Sequence, residues 1–279
     1  MTEKLPVSDT SYQGGYILKP ACEIPEELQR LDEIHAAISR YFGGQLCLAP
    51  MAATSPSKIL DLGCGSGAWA IQAATQFPEA EVHALDISPL PDRILPSNIH
   101  FHLADLSQEL NFEPETFDIV HSRFVMCHVL NGKEVIERVA RLVRPGGLLL
   151  MEDMDISNLV TTGGPAVAQV VSILMQLMRA RGGDGEIGRK LEAIISSLRF
   201  FEDVHVTRIT APFSGTGPNA ANNELGLAIK KSHASGDAVA TLFVEQDVTT
   251  DTMEQYWKEL GQSGCEAIIY FTWARRIER

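Results

Sequence analysis

"ILDLGCGSGAWA", residues 59–70, sets three glycines at alternate positions directly after an apolar run. A glycine inside a strand or helix costs about 0.5–1 kcal/mol against alanine. Gly63, Gly65 and Gly67 therefore mark a sharp turn or a backbone that something approaches closely. "KILDL" (58–62) before them reads as a short strand, and "GAWAIQAATQF" (67–77) after them as a helix stopped by Pro78. The same rhythm continues. "EVHALD" (81–86), "NIHFHLAD" (98–105), "FDIVHSR" (117–123) and "LLLMED" (148–153) read as further strands. "GKEVIERVARLV" (132–143) reads as a helix that "RPGG" breaks. Strands alternating with helices predict an α/β, doubly wound, mainly parallel sheet with helices on both faces. Ligands of such sheets lie beyond the C-terminal ends of the strands, at the point where strand order reverses. The glycine loop ends the first strand and so lies in that place.

The flanks carry other patterns. Residues 1–24 are polar and punctuated by Pro and Gly, read as an extended arm, and "PEELQRLDEIHAAISRYF" (25–42) has helical spacing. "APMAATSPS" (49–57) reads as a loop. Beyond residue 160, helices are expected over 164–183 and 185–200, two or three more within 219–262, and strands over 202–213 and 266–276. The last makes the expected sheet seven-stranded, with an antiparallel final strand. Three regions follow: an arm and helical lid (1–50), a ligand-binding core (51–160), and the rest of the same domain with inserted substrate-lid helices (161–279).

Bulk properties exclude several classes. A formal charge of -13, without a run of Lys and Arg, argues against nucleic-acid binding. Five scattered cysteines without a CxxC pair argue for a reducing compartment and no structural metal. His100 and His102 form an H-x-H pair on one strand face, but no third ligand is near in sequence. No secretory h-region or run of 18 apolar residues is found, so a cytoplasmic, membrane-free protein is expected. A homodimer is left open.

Two ligands compete for the loop. A dinucleotide site wants G-x-G-x-x-G/A, which Gly63, Gly65 and Ala68 satisfy loosely. Asp61-x-Gly63-x-Gly65-x-Gly67 instead resembles motif I of Rossmann-like S-adenosylmethionine-dependent methyltransferases. Asp86, about twenty residues on, ends the second strand where a ribose-binding acid belongs. "ADL" (104–106), "FDIVHSR" and "LVRPGGLLLMED" (142–153) follow in the order of that family. More narrowly, "YILKP" (16–20), "EELQRLDEIHAAI" (26–38) and "FDIVHSRFVMCHV" (117–129) resemble fungal methyltransferases of secondary metabolism related to the global regulator of that metabolism. The resemblance covers about residues 12–155. It implies S-adenosylmethionine as cofactor. Asp61 would take the methionine ammonium, Asp86 the ribose, and Asp105 the adenine amino group. Gly63, Gly65, Gly67, Ile87, Leu106 and His121 would line the same pocket. This family's stretch after the third strand often carries a tryptophan; here it is "LSQELNF" (106–112).

Methyl transfer to oxygen usually needs a base. His121, His128 and Glu152 are the catalytic candidates, with Asp153 expected on the same rim as Glu152. His35 on the first helix and Arg123 after the fourth strand are candidates for the acceptor, although a structural hydrogen bond would equally occupy His35, and a salt bridge with a nearby acid is favoured for Arg123. Val167, Val170, Val171, Leu174, Met175 and Met178 form an apolar stripe. It suits core or dimer packing, or an adaptable substrate wall in which Met175 and Met178 touch the acceptor. The reading is a methyltransferase acting on a small, largely apolar natural product, on oxygen by preference. A catalytically silent regulator, a cyclase of the same fold and an NAD oxidoreductase are its rivals.

Overall fold

The computed structural model describes residues 25–234, 248–262 and 264–278. The expected arm (1–24) and part of the helical stretch 219–262 lie outside them. Strands β1 (Lys58–Leu62), β2 (Glu81–Asp86), β3 (Ile99–Leu103), β4 (Phe117–Arg123), β5 (Val143–Asp155), β6 (Phe201–Pro212) and β7 (Glu266–Arg276) form one sheet ordered β3-β2-β1-β4-β5-β7-β6. β1 to β5 run parallel, and β7 is antiparallel to both β5 and β6. Strand order reverses between β1 and β4. The register there sets Asp61 beside Ala84 on one side and His121 on the other.

Alternation along the strands divides the core. Ile59, Ile119, Leu148 and Leu150 face α3 (Ala68–Gln76), whose Trp69, Ala70 and Ala73 pack there with Leu46 and Met51. Leu60, Val120, Leu149 and Met151 face the other way. They meet a larger core built with α1 (Pro25–Tyr41), α4 (Gly132–Val139), α6 (Pro165–Ala180) and α7 (Ile187–Ser197). Each fully buried Leu, Ile or Val contributes about 1.5–3 kcal/mol. At the N-terminal edge of the sheet, Asp118 holds β1 to β4. Its Oδ2 accepts from Ser57 N, Ser57 Oγ and Lys58 N at 2.8, 2.9 and 2.7 Å, and its Oδ1 accepts from Arg144 Nε.

Several elements differ from expectation. "APMAATSPS" contains a one-turn helix, α2 (Met51–Thr54), and α5 (Asn158–Thr162) precedes α6. "RPGG" does not separate helix from strand. It forms a bulge inside β5: Phe117 pairs with Val143 and Ile119 with Leu148, and Gly146 takes φ +76°. The expected helix over 132–143 ends at Val139 and tightens into a 3₁₀ turn, Ala140–Leu142. β6 is an edge strand with a bulge between Glu202 and His205, which blurs its alternation.

On the C-terminal side, α8 (Ala220–Ala234) packs on α1, and α9 (Thr250–Leu260) packs on α6. Glu259 of α9 caps α6 from a distance. Its Oε2 accepts from Ala166 N at 2.8 Å and Val167 N at 3.1 Å, serving two amides with no partner inside the helix. A Cβ on Gly164 would lie 2.4 Å from Glu259 Cδ, so glycine is required for this approach.

Candidate active site

The glycine loop is built from left-handed residues: Gly63, Gly65 and Gly67 have φ of +66°, +54° and +78°. L side chains avoid this region. Cys64 N–H donates to Leu85 O at 2.9 Å and Gly67 N–H to Cys64 O at 2.8 Å, which fixes the turn against β2. A Cβ on Gly63 would lie 2.5 Å from Val125 Cγ2, so the segment after β4 closes directly on the loop. Leu31 of α1 lies over Gly65, 3.1 Å from where its Cβ would be. Asp86 meets the loop from β2: its Oδ2 accepts from Gly65 N at 2.8 Å and its Oδ1 from Ser88 N at 3.0 Å. Burial pushes the Asp86 carboxyl above its ordinary value, and the amide donors of Ser88 and Gly65 offset only part of that. Ile87 is half-buried and Leu106 buried at the ends of β2 and β3. Asp105 Oδ1 accepts from Ser107 N at 2.8 Å, as a turn cap does.

Behind the loop runs a buried polar chain across three strand ends. His121 Nδ1 lies 2.7 Å from Asp61 Oδ1, within hydrogen-bond distance, an arrangement in which the imidazole N–H donates to the carboxyl oxygen. The His121 ring stacks on Trp69 with centroids 3.7 Å apart and planes at 5°. Its Nε2 lies 3.9 Å from Glu152 Oε2. Glu152 in turn accepts from Arg123 Nε, in contact with the strand-paired neighbour that the β4–β5 register gives it. Arg123 also donates to Leu46 O at 3.0 Å and to His35 Nδ1 at 3.3 Å. His35 Nε2 then donates to Gln72 Oε1 at 2.8 Å, and Gln72 Nε2 to Gly44 O at 2.9 Å. Burial favours the neutral Glu152 carboxyl, but Arg123 and His121 outweigh it and hold the group below its ordinary value. Burial, then the charge of Arg123, lowers His35 to about 4, so its ring is neutral at pH 7.

This geometry bears on several expectations. His121 is only 1% exposed, with Nδ1 against Asp61 and Trp69 stacked on one ring face, so its ring is packed inside the protein. Arg123 has three acceptors inside the protein, so the salt bridge, not a substrate carboxylate, takes its charge. His35 is likewise bonded at both nitrogens. Asp153 does not share the rim of Glu152. Neighbouring strand residues face opposite sides, and Asp153 accepts from Cys127 N at 3.2 Å on the larger core's side. Burial raises its carboxyl to about 6. His128 lies in a 3₁₀ turn, Met126–His128, packed against α4 and α7, outside the polar chain. Met175 and Met178 are 7% and 2% exposed in the main core, so the stripe on α6 packs instead of forming an open wall. A third imidazole joins His100 and His102 from β2: His83 Nδ1 lies 2.9 Å from His102 Nε2. Among the described residues no group of three or more His, Cys, Asp or Glu is arranged to hold a metal. Nor is any helix among them long and apolar enough to cross a membrane.

Trp69, Gln72 and Leu46 were not singled out from the sequence, although "AWAIQ" sets Trp69 and Gln72 on one helical face three residues apart. Arg93 was also missed. Its Nη1 donates to Ser66 O at 2.7 Å and to Asp32 at 3.2 Å, bridging the loop to α1.

The residues suit S-adenosylmethionine. Asp61 Oδ2 is a buried acceptor with no donor among the described residues, as an ammonium would require. Asp86 has two oxygens with about four acceptor sites, of which the loop amides occupy a part, leaving capacity for hydroxyls. Comparison with known proteins agrees. A family model described as "Methyltransferase domain" matches residues 32–182. Methyltransferase str3 of Strobilurus tenacellus is 37% identical over 246 residues, covering 88% of this chain and 86% of the relative. The secondary metabolism regulator laeA of Coprinopsis cinerea is 31% identical over 136 residues, 47% of this chain and 34% of that one. Among solved structures, phosphoethanolamine N-methyltransferase 2 of Haemonchus contortus, in complex with phosphomonomethylethanolamine and S-adenosylhomocysteine, superposes with a TM-score of 0.52 at 19% identity. That match covers 90% of this chain and about half (52%) of the neighbour. With the glycine loop, the ordered strand-end motifs and these relatives in agreement, the chain belongs to the methyltransferase-domain family and is an S-adenosylmethionine-dependent methyltransferase.

Proposed function

We propose that this chain methylates an oxygen atom of a small, largely apolar natural product. The observation that carries this reading is the closed polar chain. His35, Arg123, Glu152 and His121, the groups best placed to meet an acceptor, are bonded to one another or to the backbone. What lies over the glycine loop is apolar: Leu31 of α1 above Gly65 and Val125 after β4 against Gly63. An acceptor recognised by such surroundings is held by shape and apolar contact. The kinship with methyltransferases and a regulator of fungal secondary metabolism supports the natural-product class.

Asp86 would hold the ribose hydroxyls by charge-assisted hydrogen bonds. Asp61 would accept from the methionine ammonium, and Asp105 with Ile87 and Leu106 would flank the adenine. The left-handed glycines keep side-chain atoms out of the way. When bound, the cofactor supplies a methyl activated on a sulfonium; the protein contributes alignment and exclusion of water. The test is incubation with S-adenosylmethionine and a panel of phenols, enols, carboxylic acids and amines, read by mass. Expected is a gain of about 14 Da, one CH₂ per turnover, on oxygen acceptors, lost in Asp86→Ala. A gain confined to amines would overturn the choice of oxygen. Cofactor binding without turnover of any acceptor would favour a regulator, and a rearranged product of unchanged mass a cyclase.

A further inference from the structure

We infer that His121 is a positioning residue for the amino-acid end of the cofactor: it holds Asp61 in the one rotamer that presents Oδ2 to an ammonium. The inference rests on the proposed role of Asp61 and deepens it.

Four observations carry it. First, the parallel register sets Asp61 and His121 directly opposite each other on β1 and β4, and Nδ1 meets Oδ1 at 2.7 Å. The terminal torsion of an aspartate is broad. A single donor on one oxygen therefore decides where the other points. Second, Asp61 is 2% exposed, and Oδ2 has no donor among the described residues. A buried carboxylate oxygen left without a donor is costly, which marks it as a place for a ligand donor. Third, His121 is itself immobilised. Trp69 covers one ring face, and Glu152 lies 3.9 Å beyond Nε2, held by Arg123. Fourth, Arg123 is anchored in turn to Leu46 O and His35, so the segment between α1 and α2 braces the chain from the far end. Among the described residues the hydrogen bonds of the adenosyl end, at Asp86 and Gly65, go to its own atoms and to Ser88, and Asp61 meets Asp86 only as a neighbouring like charge.

This division predicts a selective effect. S-adenosylhomocysteine carries the ammonium; 5′-methylthioadenosine has the same nucleoside and thioether but no amino acid. Both are titrated into the full chain by calorimetry, with thermal unfolding as the folding control. His121→Leu removes the donor. His121→Asn keeps one, since its amide nitrogen occupies about the position of Nδ1. Expected for His121→Leu is a loss of about tenfold or more in S-adenosylhomocysteine affinity, the size of a lost bond to a charged group, with methylthioadenosine unchanged. His121→Asn should stay within about threefold of the natural protein for both. Equal losses for the two ligands, or no loss for either, would overturn the inference, as would an asparagine variant no better than leucine. His121→Ala is read in the same way if the leucine variant does not fold; failure of both to fold, with asparagine folded, makes the role structural and also overturns it. Asp61→Asn separates the two levels. If it leaves S-adenosylhomocysteine affinity intact, the role of Asp61 itself is wrong; if it weakens binding while His121→Leu does not, only the inference about His121 fails.

Discussion

Removing the guanidinium from the buried chain, as in Arg123→Met, tests its energetics most directly. The side chains of Arg123 and Glu152 are 8% and 3% exposed, so the pair is shielded from solvent. Breaking a buried pair by removing one partner costs about 3–5 kcal/mol, because the remaining charge stays desolvated. For a chain of 279 residues the unfolding entropy is about 0.6 kcal/mol/K, so the midpoint should fall by about 5–9 °C. Replacing both residues, Arg123→Met with Glu152→Met, removes the stranded carboxylate. Among the described residues, the Leu46 carbonyl and His35 Nδ1 are the acceptors that then lose Arg123 as donor, at about 1 kcal/mol each. The double variant should therefore be more stable than Arg123→Met alone. The pH dependence should change sign as well. With Arg123 present, Glu152 titrates below its ordinary value, so its contribution is present above about pH 4.5 and lost as pH falls. Without Arg123, burial raises the carboxyl, and stability is lost as pH rises through the new value. The variant's deficit is then smallest in acid and full at neutrality. Thermal and urea unfolding followed by circular dichroism at pH 5 and pH 7 reads all of this. A single-variant cost under about 1 kcal/mol, or a double variant costing the sum of two singles, would refute the stranded-charge reasoning.

Three further outcomes are expected. His35 has a depressed value of about 4 in the fold against 6.5 unfolded, so the unfolded chain takes up a proton first and stability is lost as pH falls through that window, by at most about 3 kcal/mol. His35→Gln should flatten the pH dependence of the urea midpoint between pH 7 and 5; an unchanged slope would remove His35 as its cause. Gly63→Ala places a Cβ at φ +66° and 2.5 Å from Val125, costing about 1–3 kcal/mol and weakening cofactor binding. Adding Val125→Ala should restore part of the stability but not the backbone strain, and a Gly63→Ala protein with normal melting and affinity would contradict the loop geometry. Asp118→Ala strands donors from Ser57, Lys58 and Arg144, at about 2–4 kcal/mol, yet lies at the other edge of the sheet. Calorimetry should find S-adenosylmethionine affinity unchanged in it, and a parallel loss would mean the strain reaches the loop.

The strands that position the site were readable because each is short, apolar and bounded by a turn: the limits of β1, β2, β4 and β7 match the expected ones. The arrangement around "RPGG" was not, because proline and glycine signal interruption, whereas the neighbouring strand absorbs them as a bulge. The placement of Asp61, Gly63, Gly65, Gly67 and Asp86 around one loop followed from their positions at strand ends. The partner of His121 did not. Asp61 is sixty residues away, and only the lateral register of β1 and β4 brings the two side chains together. A histidine ending a strand reads alike whatever its ring faces, and nothing in the sequence pairs it with Trp69 of α3, on which it stacks. The stripe on α6 was ambiguous for a similar reason: core packing and a substrate wall impose the same spacing.

The cap on α6 bears on how this scaffold can be recombined. The family match ends at residue 182, two positions after α6, and a chimera designed on that boundary would graft α6 without Glu259. Two amides at the head of the transplanted helix would then face whatever residue the host supplies, and a host side chain larger than glycine at position 164 would exclude even a correct carboxylate. The smallest exchangeable block on this side of the molecule is thus discontinuous, α5 and α6 together with α9. A transplant that carries only one of the two pieces must rebuild the cap from other residues.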